Sequence, residues 1–104
     1  MKRTRRPPNE IWQATRKRIW QRDRGRCQGF YCKHLPTHSI SLNQAQIDHI
    51  LELSQGGTNR DENLRVLCRR CHCLRANISH QGMIADALRD GIVPPNWREF
   101  VWEG

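Results

Sequence analysis

The chain has 104 residues, of which 37% are hydrophobic, and carries a formal net charge of +8. That is one small domain with a thin core, which calls for a staple; no apolar run approaches the roughly 20 residues of a membrane span, and the basic N-terminus has no apolar signal segment. Five cysteines, an odd number, in what should be a cytoplasmic, reducing setting point to metal ligation rather than a disulfide framework.

In chain order, residues 1–8 read as a basic, proline-ended arm and residues 9–104 as a single domain. The charge excess lies in the first quarter: residues 1–26 hold ten basic side chains against Glu10 and Asp23, and the rest is balanced. Arg3, Arg5 and Arg6 on the arm, with Arg16, Arg18 and Arg22 beyond it, carry the side chain best shaped to grip phosphate. They suggest a nucleic-acid partner; the plainer reading is a solvated helix face and a tail. A helix is expected from an Asn9 N-cap to about Arg24. Ile11, Trp12, Ile19 and Trp20 give it one apolar stripe, and Gly25 ends it.

Cys27 to His38 reads as a loop and Ser39 to Leu53 as a stretch of strand character. Alternation puts Asp48 and Ile50 on one side, His49 and Leu51 on the other. Gly56-Gly57 marks a turn, where glycine supplies positive φ angles. Leu64 to Leu67 reads as a short second strand or extended segment and Arg69 to about Asn77 as a helix, completing a core over residues 27–77. The tail, 81–104, has a helix at Gln81–Arg89 closed by Gly91, a break at Pro94-Pro95, and a last short helix capped by Asn96. Its aromatics Trp97, Phe100 and Trp102 should pack on the domain.

Cys27 and Cys32, then Cys68 and Cys71, make two close pairs. Zinc takes four soft or borderline ligands in a tetrahedron, and short cysteine loops deliver them. His34 or His38 could stand in for Cys32, and Cys73 is read as packing. A full set of four protein ligands leaves no open position, so this zinc would be structural.

Between the cysteine pairs the chain reads Asp48-His49, Gly56-Gly57-Thr58-Asn59 and Asn63-Leu64, followed by Leu67-Cys68 and Cys71-His72. In this order the residues resemble the HNH endonucleases, in the cysteine-rich branch of that family, from about Trp12 to Arg75. The resemblance implies an α+β fold with a small ββα-metal core, flanking helices and a structural zinc site. The family's three letters fall on His49, Asn63 and His72.

The chemistry follows from the residue types. Cutting a phosphodiester needs an activated water and charge relief on the phosphoryl oxygens. An imidazole titrating near neutrality suits the base, and His49 is the candidate. Asn63, through its amide oxygen, could take the Nδ1–H of His49 and hold it in one orientation. The resemblance implies the same two roles. Asp48 and His72 supply a carboxylate and an imidazole for a hard divalent ion, Mg or Mn. The resemblance also implies a basic residue three positions after His72, where Arg75 stands; with Arg69 and Arg70 it could help contact phosphate.

The reading is thus a DNA endonuclease on double-stranded substrate, nicking one strand as a monomer with low sequence specificity. The competing reading is a zinc-ribbon module that binds nucleic acid without catalysis; it leaves Asp48, His49 and Asn63 without a purpose. A RING-type interaction module needs about eight ligands, more than the cysteines supply.

Overall fold

The computed structural model describes residues 7–33, 39–76 and 81–102. Two short strands, β1 (Gln46–His49) and β2 (Leu64–Leu67), pair antiparallel, with Gln46 opposite Leu67 and His49 opposite Leu64. Among the described residues, three α-helices accompany them: α1 (Asn9–Arg22), α2 (Arg69–Leu74), which follows β2 at once, and α3 (Gln81–Arg89). The chain is α+β, and β1, β2 and α2 form a ββα unit. Among the described residues, no helix is long and apolar enough to cross a membrane.

β2 is the centre of the core. Leu64, Val66 and Leu67 are 1%, 0% and 0% exposed, and enclosing each contributes about 1.5–3 kcal/mol. α1 packs on this strand through Trp12, Thr15 and Ile19, the three residues it buries. Ile11 does not join the expected stripe; it points outward, 57% exposed. Trp20 is half-buried, and its indole N–H donates to the Ile40 carbonyl at 2.8 Å.

The basic face of α1 is tied down by the protein itself. Arg16 Nη2 donates to the carbonyls of Leu42 and Ala45, both at 2.9 Å, on the approach to β1. Arg22 donates to the carbonyls of Asp61 and Leu64, at 2.8 and 2.6 Å, on the approach to β2. Arg18 grips Asp61 with two bonds of 2.7 and 2.8 Å. Solvent screens the exposed Arg18–Asp61 pair, whereas Arg16 and Arg22 reach part-buried backbone carbonyls with charge-assisted bonds. The arginines therefore strap α1 across the loops that lead into both strands.

Several boundaries move. α1 stops at Arg22 because Arg24 and Gly25 take left-handed φ angles of 57° and 65°. Pro8, not Asn9, precedes the first turn; Asn9 sits inside the helix. The long strand expected from Ser39 shrinks to four residues. Residues 42–44 turn instead, Ala45 N–H bonding back to Ser41 at 2.9 Å, and a 3-10 turn begins at Leu53. α2 ends at Leu74, and Asn77 lies outside the described residues. So do Arg3, Arg5 and Arg6 of the arm, and His34 and His38. The tail does pack. Trp102 is 8% exposed and donates its indole N–H to the Cys71 carbonyl at 2.8 Å, while Tyr31 Oη donates to Phe100 at 2.8 Å.

Candidate active site and cysteine cluster

Cys27 and Cys32 flank a tight loop, and Cys68 and Cys71 bracket the start of α2. Their four sulfurs all lie within 4.8 Å of one another. Cys32 is 3.9 Å from Cys68 and 3.7 Å from Cys71, sulfur to sulfur. Zinc–sulfur bonds of about 2.3 Å put tetrahedral sulfurs about 3.8 Å apart, so the spacing fits a zinc ion. Backbone N–H groups point at the sulfurs: Gly29 donates to Cys27 at 3.3 Å and Cys71 to Cys68 at 3.4 Å. Gly29 must be glycine, since a Cβ there would stand 2.6 Å from the Cys71 Cβ. Without metal the cluster shares protons. The Cys27 thiol, hydrogen-bonded to Cys68, is pushed up to about 12, and Cys71 is pushed up by its bond to Cys27. Cys68 is drawn down by the Cys27 hydrogen bond and then by Cys71. Cys73 lies apart, buried, its thiol facing the Met83 carbonyl.

Alternation along β1 sorts the remaining site residues. Gln46 and Asp48 meet α2. Asp48 is 2% exposed, and its Oδ1 lies 3.6 Å from His72 Nε2. The Gln46 amide oxygen accepts from His72 Nδ1 at 2.5 Å, which places the lone pair of His72 on Nε2, facing the carboxylate. With His72 neutral, one carboxylate and one imidazole are a donor set that fits a hard divalent ion. A divalent ion with bonds of about 2.1 Å spans such a gap. Two arginines share the carboxylate: Arg65 Nε meets Oδ2 at 2.8 Å and Arg75 Nη1 meets Oδ1 at 3.2 Å. Arg75 also lies 3.5 Å from Glu52 and donates to the Ile50 carbonyl at 2.5 Å. Arg65 stacks over the Trp102 ring at 5.0 Å, so the tail supports the same carboxylate.

His49 faces the other way, towards α1. Its ring lies parallel to the buried indole of Trp12, with centroids 5.7 Å apart and 3° between planes. Its Nε2–H donates to Asn59 Oδ1 at 2.8 Å. The acceptor oxygen fixes the tautomer and leaves the lone pair on Nδ1, which has no protein partner among the described residues.

The orienting bond expected from Asn63 thus belongs to Asn59. Asn63 is committed elsewhere: its Oδ1 accepts from Leu51 N–H at 2.8 Å, and its Nδ2 donates to the carbonyls of Leu51 and Thr58 at 2.9 and 2.7 Å. Those bonds pin both ends of the 51–58 loop, which delivers Asn59. The glycine pair serves the same loop in two ways. Gly56 has the positive φ, 93°, whereas a Cβ on Gly57 would lie 1.8 Å from the Leu51 carbonyl oxygen.

Of the arginines expected to meet phosphate, Arg69 pairs with Asp90 at 2.7 Å, and Arg70 lies 3.9 Å from Cys32 Sγ and over the Tyr31 ring. A guanidinium beside thiolates offsets the negative charge of a four-cysteine zinc site. Arg60, absent from the expectation, is exposed and follows Asn59 directly; its side chain has no partner among the described residues.

Sequence reasoning missed Gln46, Asn59 and Arg65. Gln46 could have been found, because it lies two residues before Asp48 on one strand face. Arg65 is the cross-strand partner of Asp48, a fact that needs the register.

Residues 27–77 match the model of the HNH endonuclease family, by that description. Comparisons with curated proteins and with solved structures gave no match. The matched span contains the four-cysteine cluster, both strands and α2, and over it the chain is similar to the HNH endonucleases.

Proposed function

We propose that the protein is a divalent-metal-dependent endodeoxyribonuclease that nicks one strand of duplex DNA as a monomer, with low sequence specificity, in a reducing cytoplasm. The observation that carries this reading is the buried Asp48 carboxylate facing the His72 Nε2 lone pair at 3.6 Å, with Gln46 holding the tautomer. Asp48 and His72 would hold Mg or Mn, which supplies charge relief to the phosphoryl oxygens.

His49 does the proton work. With Nε2–H given to Asn59, it accepts the proton of the attacking water at Nδ1. Trp12 keeps the ring plane fixed while it does so. Asn63 acts one step back, by closing the loop that presents Asn59. Cys27, Cys32, Cys68 and Cys71 would hold a structural zinc. Because Cys71 precedes His72, that staple also sets the position of a catalytic-ion ligand. Arg60 and the arm residues Arg3, Arg5 and Arg6 are the cations assigned to the DNA backbone. One site in a monomer reaches one strand, hence nicking.

The test is conversion of supercoiled plasmid to open circles with Mg or Mn, with and without EDTA, comparing wild type with His49→Ala. A general base contributes about 10²–10⁴-fold, so the variant should be slower by that factor. Equal rates for the two proteins would remove His49 from the chemistry. DNA binding without cutting under every metal would favour the non-catalytic module.

A further inference from the structure

We infer that Arg75 is the resident counter-cation of Asp48, and that it leaves this carboxylate for a phosphate of the nucleic acid when a divalent ion binds. Ion and phosphate then bind with positive coupling. The inference rests on the ion site proposed above and deepens it.

The two arginines on Asp48 are not equivalent. Arg65 holds Oδ2, while Arg75 holds Oδ1, the oxygen that faces His72. Arg75 therefore meets the one oxygen that an ion between Asp48 and His72 must use. Charge points the same way. The side chains of Asp48, Glu52, Arg65 and Arg75 are 2%, 16%, 12% and 7% exposed, and their formal charges cancel. A divalent ion added to this enclosed group leaves two unmatched positive charges, which a low-dielectric setting resists. Relief comes from an arriving phosphate or from withdrawal of one guanidinium.

Arg75 is the guanidinium that the exchange moves. Among its other partners are Glu52 and the Ile50 carbonyl, on the loop that carries the exposed Ile50 and Leu51. Arg65 is held against the buried Trp102 ring instead. A guanidinium binds phosphate through two parallel N–H bonds as well as it binds a carboxylate, so the exchange keeps its donors matched. By linkage the coupling works both ways: DNA tightens the ion as much as the ion tightens DNA.

The experiment uses the full-length, zinc-loaded protein with His49→Ala, so that duplex stays intact, and follows arginine side-chain 15N and histidine ring resonances during Mg titration. Saturating Mg should shift the Arg75 Nε–H signal and speed its exchange with water, with Arg65 unmoved. A short duplex should tighten Mg by about ten- to a hundredfold. Adding Arg75→Gln should strengthen Mg binding about tenfold without DNA and reduce the coupling towards unity. If Mg moves the His72 signals but leaves Arg75 in place, the exchange is wrong while the ion site stands. If Arg75→Gln binds Mg like its parent with undiminished coupling, the exchange is equally wrong. If Mg moves neither residue, the exchange falls together with the ion site.

Discussion

A methyl group at position 29 should dismantle the zinc site without touching a ligand. In Gly29→Ala the new Cβ would stand 2.6 Å from Cys71 Cβ, 2.7 Å from Cys71 Sγ and 3.3 Å from Cys27 Sγ. Carbon contacts settle at about 3.5–4.0 Å, so the loop must retreat by about 1 Å. It cannot retreat alone. Gly29 N–H is bonded to Cys27 Sγ at 3.3 Å, and its carbonyl accepts from Cys32 at 3.0 Å and Lys33 at 2.9 Å. The strain thus reaches two ligands at once, and metal sites tolerate displacements of only about 0.2 Å. Overpacking of this kind costs about 1–3 kcal/mol, which corresponds to about a five- to 150-fold loss of metal affinity. Cobalt in place of zinc gives a thiolate charge-transfer band that can be titrated against a chelator. Wild-type cobalt affinity with an unchanged tetrahedral spectrum in Gly29→Ala would refute the reasoning.

Zinc should bind more tightly as pH rises through the neutral range, because Cys27 and Cys71 hold protons in the metal-free cluster that the ion must displace. Calorimetry in buffers of different ionisation enthalpy should count more than one proton released per zinc; no release contradicts the assignment. Gln46→Leu should weaken Mn binding about 10–100-fold with melting temperature nearly unchanged, since it frees the His72 tautomer; unaltered Mn affinity removes Gln46 from the site. Asn59→Ala should lower kcat at near-native stability, because it removes the bond that orients His49. Asn63→Ala should also lose about 1–3 kcal/mol of stability, by leaving loop groups unmatched, and identical melting of the two variants would dissolve that distinction. Deleting residues 1–6 removes four basic side chains and should flatten the salt dependence of DNA binding; an unchanged slope would show that the arm touches no phosphate.

Much of this site was legible because its signals are local. Cys68-x2-Cys71 and the Asp48-His49 pair are short spacings whose chemistry needs no knowledge of the fold. β2 was found to the residue, since Leu64, Val66 and Leu67 are an apolar run bounded by polar turns. What failed to show was whatever depends on contacts across the chain. Asn59 and Asn63 are both amides in one loop, and which one reaches His49 is decided by how that loop closes on Gly57. The arginines of α1 read as a free phosphate-binding face, yet Arg16 and Arg22 serve carbonyls more than twenty residues away. Arg65 and Arg75 look like surface charges until the strand register and α2 bring both onto a buried carboxylate.

The most direct test of the whole account is anomalous diffraction at the manganese edge from crystals of His49→Ala bound to a short duplex. A peak should lie between Asp48 Oδ1 and His72 Nε2, beside a backbone phosphate, with zinc at the four cysteines. Manganese found elsewhere, or a site between those two side chains that stays empty with duplex in place, would contradict it.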